Sequence, residues 1–175
     1  QTYKDIGVAS VSMGGGDILP ALEKGTIDAA EWCCPKPDLV FGFQKVLKNY
    51  YLQGLHQNVV NGDVFFNKDV YNKLTDQEKY AMEIASEAMI TRNITNRAVE
   101  NGKALIELTS KHGVILHDTP ADYFVEYMAA AKATIQKNSK ENKFFDEVYQ
   151  HMTAHAKIVV PFIAQMETSD ASIGT

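Results

Sequence analysis

Glu31 and Trp32 are the adjacent residues of this sequence whose side chains are best suited to hold a small ligand. They stand at the end of a short apolar segment and are followed by two cysteines and two prolines. A carboxylate in such a place can hold a hard cation through oxygen, and an indole can cover the apolar face of a ligand. The same pattern fits equally well a partly buried tryptophan beside a solvated glutamate, so both interpretations stay open.

Histidines offer a second kind of chemistry, metal-dependent hydrolysis. His151 and His155 are four residues apart on a predicted helix, a spacing at which both rings can reach one metal ion. The residues between them include no glutamate, which a zinc hydrolase of the His-Glu-x-x-His kind requires as its base. A polar helix face explains the pair more simply. A hydrolase site built from Glu31 with His56, or from His151 with His155, is kept as an alternative function.

Two short motifs near Glu31 carry weaker signals. The run Gly14-Gly15-Gly16-Asp17 precedes a helix start, where backbone N–H groups can hold an anion, but it lacks the spacing of a dinucleotide site or a P-loop. Cys33 and Cys34 are the only cysteines. Two adjacent ligands make no zinc motif, and a disulfide between neighbours strains the peptide that joins them. We therefore expect the glycines to form a flexible turn and assign no chemistry to the cysteines.

Composition argues against nucleic acid as a partner and against a membrane-spanning helix. The chain has 175 residues with 17 basic and 22 acidic side chains, which gives a net charge of −5. Nucleic acid is excluded as a partner because binding to phosphates relies on clustered Lys and Arg. The longest apolar run, residues 158–164, is far shorter than the roughly 20 residues of a membrane-spanning helix. The sequence from Gln1 onward has no signal-peptide pattern.

Hydrophobic periodicity predicts a mixed α/β fold in the first third and mostly helices after it. A capping-box pattern at Thr75 and Glu78, followed by apolar residues at helical spacing, predicts one helix that ends near Lys111. At about 1.5 Å per residue this helix is about 54 Å long, more than the core diameter of one such domain. We interpret it as a strut across two lobes. The other predicted elements are strands at 8–13, 26–30, 58–67 and 114–117, a short helix or loop at 39–47, and helices at 18–24, 119–135 and 141–165, the last kinked or ended by Pro161.

The segment from Met13 to Trp32, with the core Ala-Leu-x-x-Gly-x-Ile-Asp-Ala-x-Glu-Trp, resembles the signature stretch of TRAP-transporter solute-binding proteins. The resemblance covers nearly the whole chain and is closest to the branch that binds 2-oxo and 2-hydroxy carboxylic acids. It implies a periplasmic binding protein-like type II two-lobed α/β fold, with a ligand cleft between the lobes and a long helix across both. This chain would be a helix-rich carboxyl-terminal portion with parts at 1–32, 33–74, 75–112 and 113–175.

The resemblance also implies roles for three residues. Glu31 would ligate Na⁺ or Ca²⁺ through its side chain and Trp32 through its backbone carbonyl, with the cation bridging to the bound carboxylate. Gln57 would be a third contributor to cation and ligand binding.

The implied function is that of a periplasmic binding component, not an enzyme. It would capture a small 2-oxo or 2-hydroxy carboxylate and deliver it to TRAP membrane permease subunits, as a monomer or a homodimer. A helical self-association module is the remaining alternative, because a strut without its lobes exposes apolar surface.

Overall fold

Seven α-helices and one two-stranded sheet make up the described part of the protein, residues 1–54 and 62–170 of a computed structural model, with only the backbone described for 167–170. The helices are α1 (Thr2–Asp5), α2 (Gly15–Glu23), α3 (Pro35–Phe41), α4 (Lys68–Asn72), α5 (Asp76–Lys111), α6 (Ala121–Glu141) and α7 (Lys143–Asp170). A 3₁₀ turn covers Phe43–Lys45, and the strands are β1 (Asn49–Tyr51) and β2 (Ile115–His117). The chain divides into two units, residues 12–120 and residues 1–11 with 121–175.

The sheet of the unit 12–120 joins two segments that are far apart in the sequence. β1 and β2 are parallel, with Asn49 opposite Ile115 and Tyr51 opposite His117. Parallel strands need a long crossover connection, and α5 lies within it. The His117 ring stacks on Tyr51 at a centroid distance of 5.1 Å, and His117 Nε2 lies 2.9 Å from Asn49 Oδ1. β2 confirms the strand predicted at 114–117, whereas β1 was not predicted.

α5 is the 36-residue helix that the sequence predicts. Its start is a complete capping box: the Glu78 N–H donates to Thr75 Oγ1 at 3.3 Å, and the Thr75 N–H donates to Glu78 Oε2 at 2.8 Å. Just beyond its other end, Lys48 Nζ donates to the His112 carbonyl oxygen at 2.9 Å, which satisfies one of the carbonyls that a helix end leaves unpaired. Most of the helix is exposed, and its buried residues lie near its carboxyl end.

A small apolar core packs α2 against the 3₁₀ turn. Ile18 and Leu22, four residues apart on α2, are buried together with Phe43. Partly buried residues surround them: Met13, Leu19, Ile27, Val46 and Leu47. Because residues four apart lie on one helix face, this burial fixes the orientation of α2 and of the coil that follows it.

The unit formed by residues 1–11 and 121–175 contains α1, α6 and α7. The Tyr3 and Tyr127 rings lie 5.3 Å apart between centroids, and Thr134 Oγ1 donates to Asp5 Oδ2 at 3.3 Å, so α1 packs on α6. Asn142 joins α6 to α7, and its side-chain oxygen accepts a backbone N–H at 3.0 Å, as an N-cap residue does. Within the described residues of the whole chain, no helix is long and apolar enough to cross a membrane.

Three predicted strands are wrong for the described residues. Residues 8–13, 26–30 and 62–67 form neither strand nor helix, and the rest of the strand predicted at 58–67 lies outside the described residues. A strand is stable only where another strand pairs with its backbone, and the sheet of the described chain contains only β1 and β2. The strand-helix-strand pattern predicted for 1–32 is therefore the short helix α1 followed by α2, with α2 between irregular segments at 8–14 and 26–32.

The prediction that Pro161 kinks or ends the last helix is wrong about the end, because α7 continues through it to Asp170. A proline removes one backbone N–H donor and so frees the carbonyl of Lys157, four residues earlier. The side chains around this turn are largely exposed, so water can reach the freed carbonyl. The helix therefore tolerates the proline.

Candidate functional site

Glu31 and Trp32 lie at exposed positions in the coil that links α2 to α3. The Trp32 ring packs beside Phe41 and Phe43, with centroid distances of 4.6 Å and 6.5 Å. Phe43 belongs to the buried core, so the indole is held at the edge of that core. Trp32 keeps 36% of its surface exposed, which leaves part of the indole available to a ligand.

Gly15, the first residue of α2, makes room for the indole. A Cβ atom at this position would lie 2.6 Å from Cη2 and 2.9 Å from Cζ3 of Trp32. Glycine alone permits so close an approach of backbone to ring. A Cβ atom at the neighbouring Gly16 would meet nothing within 4 Å. The glycine run, which the sequence predicts as a flexible turn, thus begins a helix and fits against the tryptophan.

Asp38 holds the end of the same coil. Its side chain is buried, and the Tyr50 hydroxyl donates to Asp38 Oδ2 at 2.5 Å. The Asp38 backbone N–H donates to the Cys34 carbonyl oxygen at 3.1 Å. Burial raises the pKa of Asp38, and the Tyr50 hydrogen bond above all, together with the backbone N–H groups of Cys33 and Cys34, opposes the rise. Asp38 therefore ties the residues just after Trp32 to β1.

The same contact raises the pKa of Tyr50 above its usual value. Burial is the largest cause, and the hydrogen bond to Asp38 and the negative charge of Asp38 add to it. Burial and a nearby negative charge both favour the neutral phenol over the phenolate. Tyr50 therefore stays a hydrogen-bond donor at neutral pH.

One face of α5 fixes the start of α3. The Lys36 N–H donates to Asn101 Oδ1 at 2.9 Å, and Lys36 Nζ lies 4.0 Å from Glu100 Oε2. Arg97 Nη2 lies 3.4 Å from Cys34 Sγ. Arg97, Glu100 and Asn101 are spaced i, i+3 and i+4, so they project from one side of the helix. α5 thereby positions the segment that follows the Glu-Trp pair.

The two cysteines form a close pair of thiols. Cys33 Sγ lies 3.2 Å from Cys34 Sγ, with Cys33 exposed and Cys34 partly buried. Burial raises the pKa of the Cys33 thiol to about 11, and the hydrogen bond and charge of Cys34 add to the rise, while the positive charge of Arg97 opposes it. Cys33 is therefore a neutral thiol at neutral pH.

The donor atoms of the coil fit a hard cation. Glu31 offers an exposed carboxylate, and Trp32 offers a backbone carbonyl in a segment outside helix and strand. Carboxylate and carbonyl oxygens are the ligands that Ca²⁺ prefers. Within the described residues, the side chains of His, Cys, Asp and Glu do not gather in groups of three or more. Within the described residues, a cation held by Glu31 would therefore be bound with neutral oxygens and not by a cage of three or more carboxylates.

Other candidate residues are not brought to this coil. Gln57, the expected third contributor, and His56, of the alternative hydrolase site, lie outside the described residues. His151 and His155 are both exposed on α7. In the part of the chain that the structure describes, no third acidic, cysteine or histidine side chain completes a metal-binding group with these two histidines. The hydrolase hypothesis therefore has no assembled ligand set there.

An open depression with a volume of about 780 Å³ lies in the same unit as Glu31. Its lining comes from residues 64–86 and includes Phe65, Tyr71 and Tyr80. Glu31 and Trp32 are not part of this lining. We therefore do not assign the depression to ligand binding.

Two residues that hold the site, Asp38 and Arg97, are absent from the sequence-based candidates, and Gly15 was considered there only as part of a flexible turn. The glycine run contained a usable signal, since glycine often marks a close approach of backbone to another group. Asp38 resembles any acid in the first turn of a helix. Arg97 is 63 residues from Cys34 in the sequence, so only the folded chain reveals their contact.

Residues 1–142 match the family Bacterial extracellular solute-binding protein, family 7 (DctP), and the chain belongs to this family. It is also 30% identical over 164 residues to the monocarboxylate 2-oxoacid-binding periplasmic protein of Nostoc sp., over 90% of this chain and 43% of that protein. The resemblance seen in the sequence is thus confirmed.

Two solved structures share the fold. One is a TRAP transporter solute-binding protein from Bordetella bronchiseptica, with a TM-score of 0.76 and 24% sequence identity over 99% of this chain and 54% of that chain. That structure is a mixed-occupancy dimer, with copurified calcium and picolinate in one active site and an apo second site. The other is a TRAP periplasmic solute-binding protein from Colwellia psychrerythraea with bound calcium and pyruvate. Its TM-score is 0.72 at 22% sequence identity, over 85% of this chain and 45% of that chain. These structures confirm the predicted fold class. The chain contains only part of that fold, because it spans 43–54% of the length of these relatives.

Proposed function

We propose that this chain is part of a TRAP-transporter solute-binding protein that captures a small 2-oxo or 2-hydroxy carboxylate together with a metal cation. The protein acts outside the cytoplasm and delivers the ligand to membrane permease subunits, without catalysing a reaction. The family and the ligands named for relatives support this: 2-oxoacids for the Nostoc protein, and picolinate or pyruvate with calcium for the two structures. Pyruvate and picolinate each carry a second donor atom next to the carboxylate, so each can chelate a cation.

The observation that carries the proposal is the fixed placement of Trp32, next to an exposed glutamate. The indole lies against Gly15, and the Asp38 N–H donates to the carbonyl oxygen of Cys34, two residues after Trp32. Glu31 is exposed at the adjacent position, so its carboxylate and the Trp32 carbonyl, together with Gln57, would hold Ca²⁺ or Na⁺. When bound, the cation supplies positive charge for the ligand carboxylate in a chain whose net charge is −5.

We further propose that the chain is the carboxyl-terminal portion of a two-lobed protein and that α5 connects the lobes. Its 36 residues correspond to about 54 Å of helix, and most of its surface is exposed. The parts of this portion would be 1–32, 33–74, 75–112 and 113–175. Crystallography of the full-length protein would contradict this proposal if α5 contacted only one lobe.

Calorimetric titration of the full-length protein with pyruvate tests the proposed binding. We expect heat of binding with Ca²⁺ or Na⁺ and much less after chelation and desalting. Glu31→Gln should weaken binding about tenfold or more, because it removes the charged ligand of the cation. Glu23→Gln, which changes an exposed acid at the end of α2, is the matched control and should leave affinity unchanged. If no small 2-oxo or 2-hydroxy acid gives heat of binding in the presence of Ca²⁺ or Na⁺, the proposal is wrong.

A further inference from the structure

We propose that Cys33 and Cys34 are a reversible oxidation site, which closes to a vicinal disulfide and then weakens cation and ligand binding at Trp32. They are the only cysteines of the chain, and their Sγ atoms lie 3.2 Å apart. The chain belongs to a family of extracellular proteins, and disulfides form and persist in extracellular compartments. Within this chain, each thiol has only the other as a disulfide partner.

The oxidation is a thiol–disulfide exchange with a small-molecule or protein disulfide. One cysteine loses its proton and, as a thiolate, attacks the S–S bond of the oxidant, which forms a mixed disulfide and releases one thiolate that takes up a proton. The second cysteine sulfur then attacks the first, forms the Cys33–Cys34 bond and releases the second thiol. Two electrons and two protons pass to the oxidant, which leaves as two thiols. The exposure of Cys33 gives the oxidant access.

The adjacent positions of the two residues make this disulfide easy to reduce again. Consecutive Cα atoms lie about 3.8 Å apart across a trans peptide, whereas disulfides usually join Cα atoms about 4.4–6.8 Å apart. A disulfide across so short a distance is strained, and strained disulfides are the labile ones. The pair is therefore suited to a reversible signal and not to a permanent cross-link.

Closure of the disulfide reaches the binding coil through two contacts. The sulfur atoms must move from 3.2 Å apart to about 2.05 Å, which turns the peptide between the cysteines. The Asp38 backbone N–H donates to the Cys34 carbonyl oxygen at 3.1 Å, and Cys34 Sγ lies 3.4 Å from Arg97 Nη2. These contacts hold the residues that directly follow Trp32, whose carbonyl is the proposed cation ligand. The effect on binding thus rests on the proposed function, whereas formation of the disulfide does not.

Mass spectrometry of the full-length protein tests the disulfide itself. The protein is treated with oxidised glutathione, its remaining thiols are alkylated, and it is digested without reductant. We expect the peptide that contains both cysteines to have lost two hydrogen atoms and to carry no alkyl group, and dithiothreitol to reverse this. Alkylation of both cysteines, a persistent glutathione adduct, or a disulfide to another chain or another segment would each overturn the proposal.

Calorimetry with pyruvate and Ca²⁺ then tests the effect on binding. Oxidised wild-type protein should bind about fivefold or more weakly than the reduced form, while Cys33→Ser and Cys34→Ser should bind equally well with and without oxidant. Equal affinities of oxidised and reduced wild type would overturn the regulatory effect and leave the proposed function intact. If no form binds a small carboxylate, the proposed function and the regulatory effect both fail, and the mass spectrum still decides the disulfide.

Discussion

The contact between Gly15 and Trp32 sets the orientation of the ring that is proposed to face the ligand. A Cβ atom at residue 15 would lie 2.6 Å from the ring, and the Phe41 ring lies 4.6 Å away between centroids. The indole is thus in close contact with backbone and with another aromatic ring, as in a packed protein interior, although part of it stays exposed. A larger side chain at residue 15 would therefore displace the Trp32 ring.

Gly15→Ala should displace the indole, because the added methyl group occupies the space of the ring. We expect a loss of about 1–3 kcal/mol in the free energy of unfolding and a shift in fluorescence emission, which reports on Trp32 as the single tryptophan of this chain. Gly16→Ala is the matched control, because its Cβ meets nothing within 4 Å and alanine favours helix. Identical emission from both variants would show that the ring is not fixed by Gly15.

Tyr50→Phe removes the hydroxyl that donates to the buried Asp38 carboxylate. We expect the free energy of unfolding near pH 7 to fall by about 1–3 kcal/mol, because the carboxylate loses a donor in a buried place. Chemical denaturation measures this loss. Tyr51→Phe, which alters the neighbouring and exposed tyrosine, is the control and should change stability little.

The loss in the free energy of unfolding that Tyr50→Phe causes should become smaller as the pH falls. Burial already raises the pKa of Asp38, and the Tyr50 hydrogen bond opposes that rise, so the variant raises this pKa further. A carboxyl group with a raised folded-state pKa contributes stability below its unfolded pKa and loses that contribution as the pH rises through the folded pKa. The variant should therefore differ less from wild type near pH 4 than near pH 7. A deficit of the same size at both pH values would contradict the assigned role of Tyr50.

α5 shows which parts of this fold are predictable from sequence. Its start is encoded by two residues three apart, Thr75 and Glu78, and its length by apolar periodicity, so the signals are local and the prediction is confirmed. The sheet depends on pairing between β1 and β2, which lie on opposite sides of α5 in the sequence. Residues 8–13 and 26–30 have a local strand pattern but no partner strand in the described chain. Local patterns therefore predicted α2, α5, α6 and α7 but not the short helices α1 and α4, and pairing between strands decided where strands form.

In the candidate site, too, some residues are encoded by local sequence and others by contacts between distant segments. Glu31 and Trp32 are adjacent and belong to a motif, so their sequence alone identified them. Asp38 and Arg97 act on the coil through contacts that form only after folding. No periodicity encodes such contacts, because they join a coil to a helix and to a strand. The binding roles of Glu31 and Trp32 thus stay a prediction from local sequence, whereas the positions of Asp38 and Arg97 beside the coil are known only from the fold.

Asn101→Ala should loosen the contact between α5 and α3. It removes the acceptor of the Lys36 N–H, which lies 2.9 Å from Asn101 Oδ1, and we expect a loss of about 1 kcal/mol in the free energy of unfolding. Asn93→Ala, an exposed asparagine on the same helix, should be neutral or slightly stabilising because alanine has the higher helix propensity. Equal stability of the two variants in urea would rule out this anchoring contact.

Exposed apolar side chains are frequent along the first two thirds of α5. Tyr80, Ile84, Ile90 and Ile94 are exposed, the last of them by 69%. Large apolar surfaces are rare on soluble monomers and mark places where another surface docks. The chain spans 43% of the length of the Nostoc protein, so we expect the remainder of the full-length protein to cover this face of α5.

The 175-residue chain, produced by itself, should therefore self-associate through the uncovered face of α5. Size-exclusion chromatography with light scattering should give a mass above that of the monomer, rising with concentration. Ile94→Glu should reduce this association, because it places a charge in the apolar face. Thr91→Glu adds the same charge one turn earlier without removing an apolar side chain, and it should reduce association less. If the chain stays monomeric at every concentration, or if the two variants act equally, apolar exposure on α5 does not drive association.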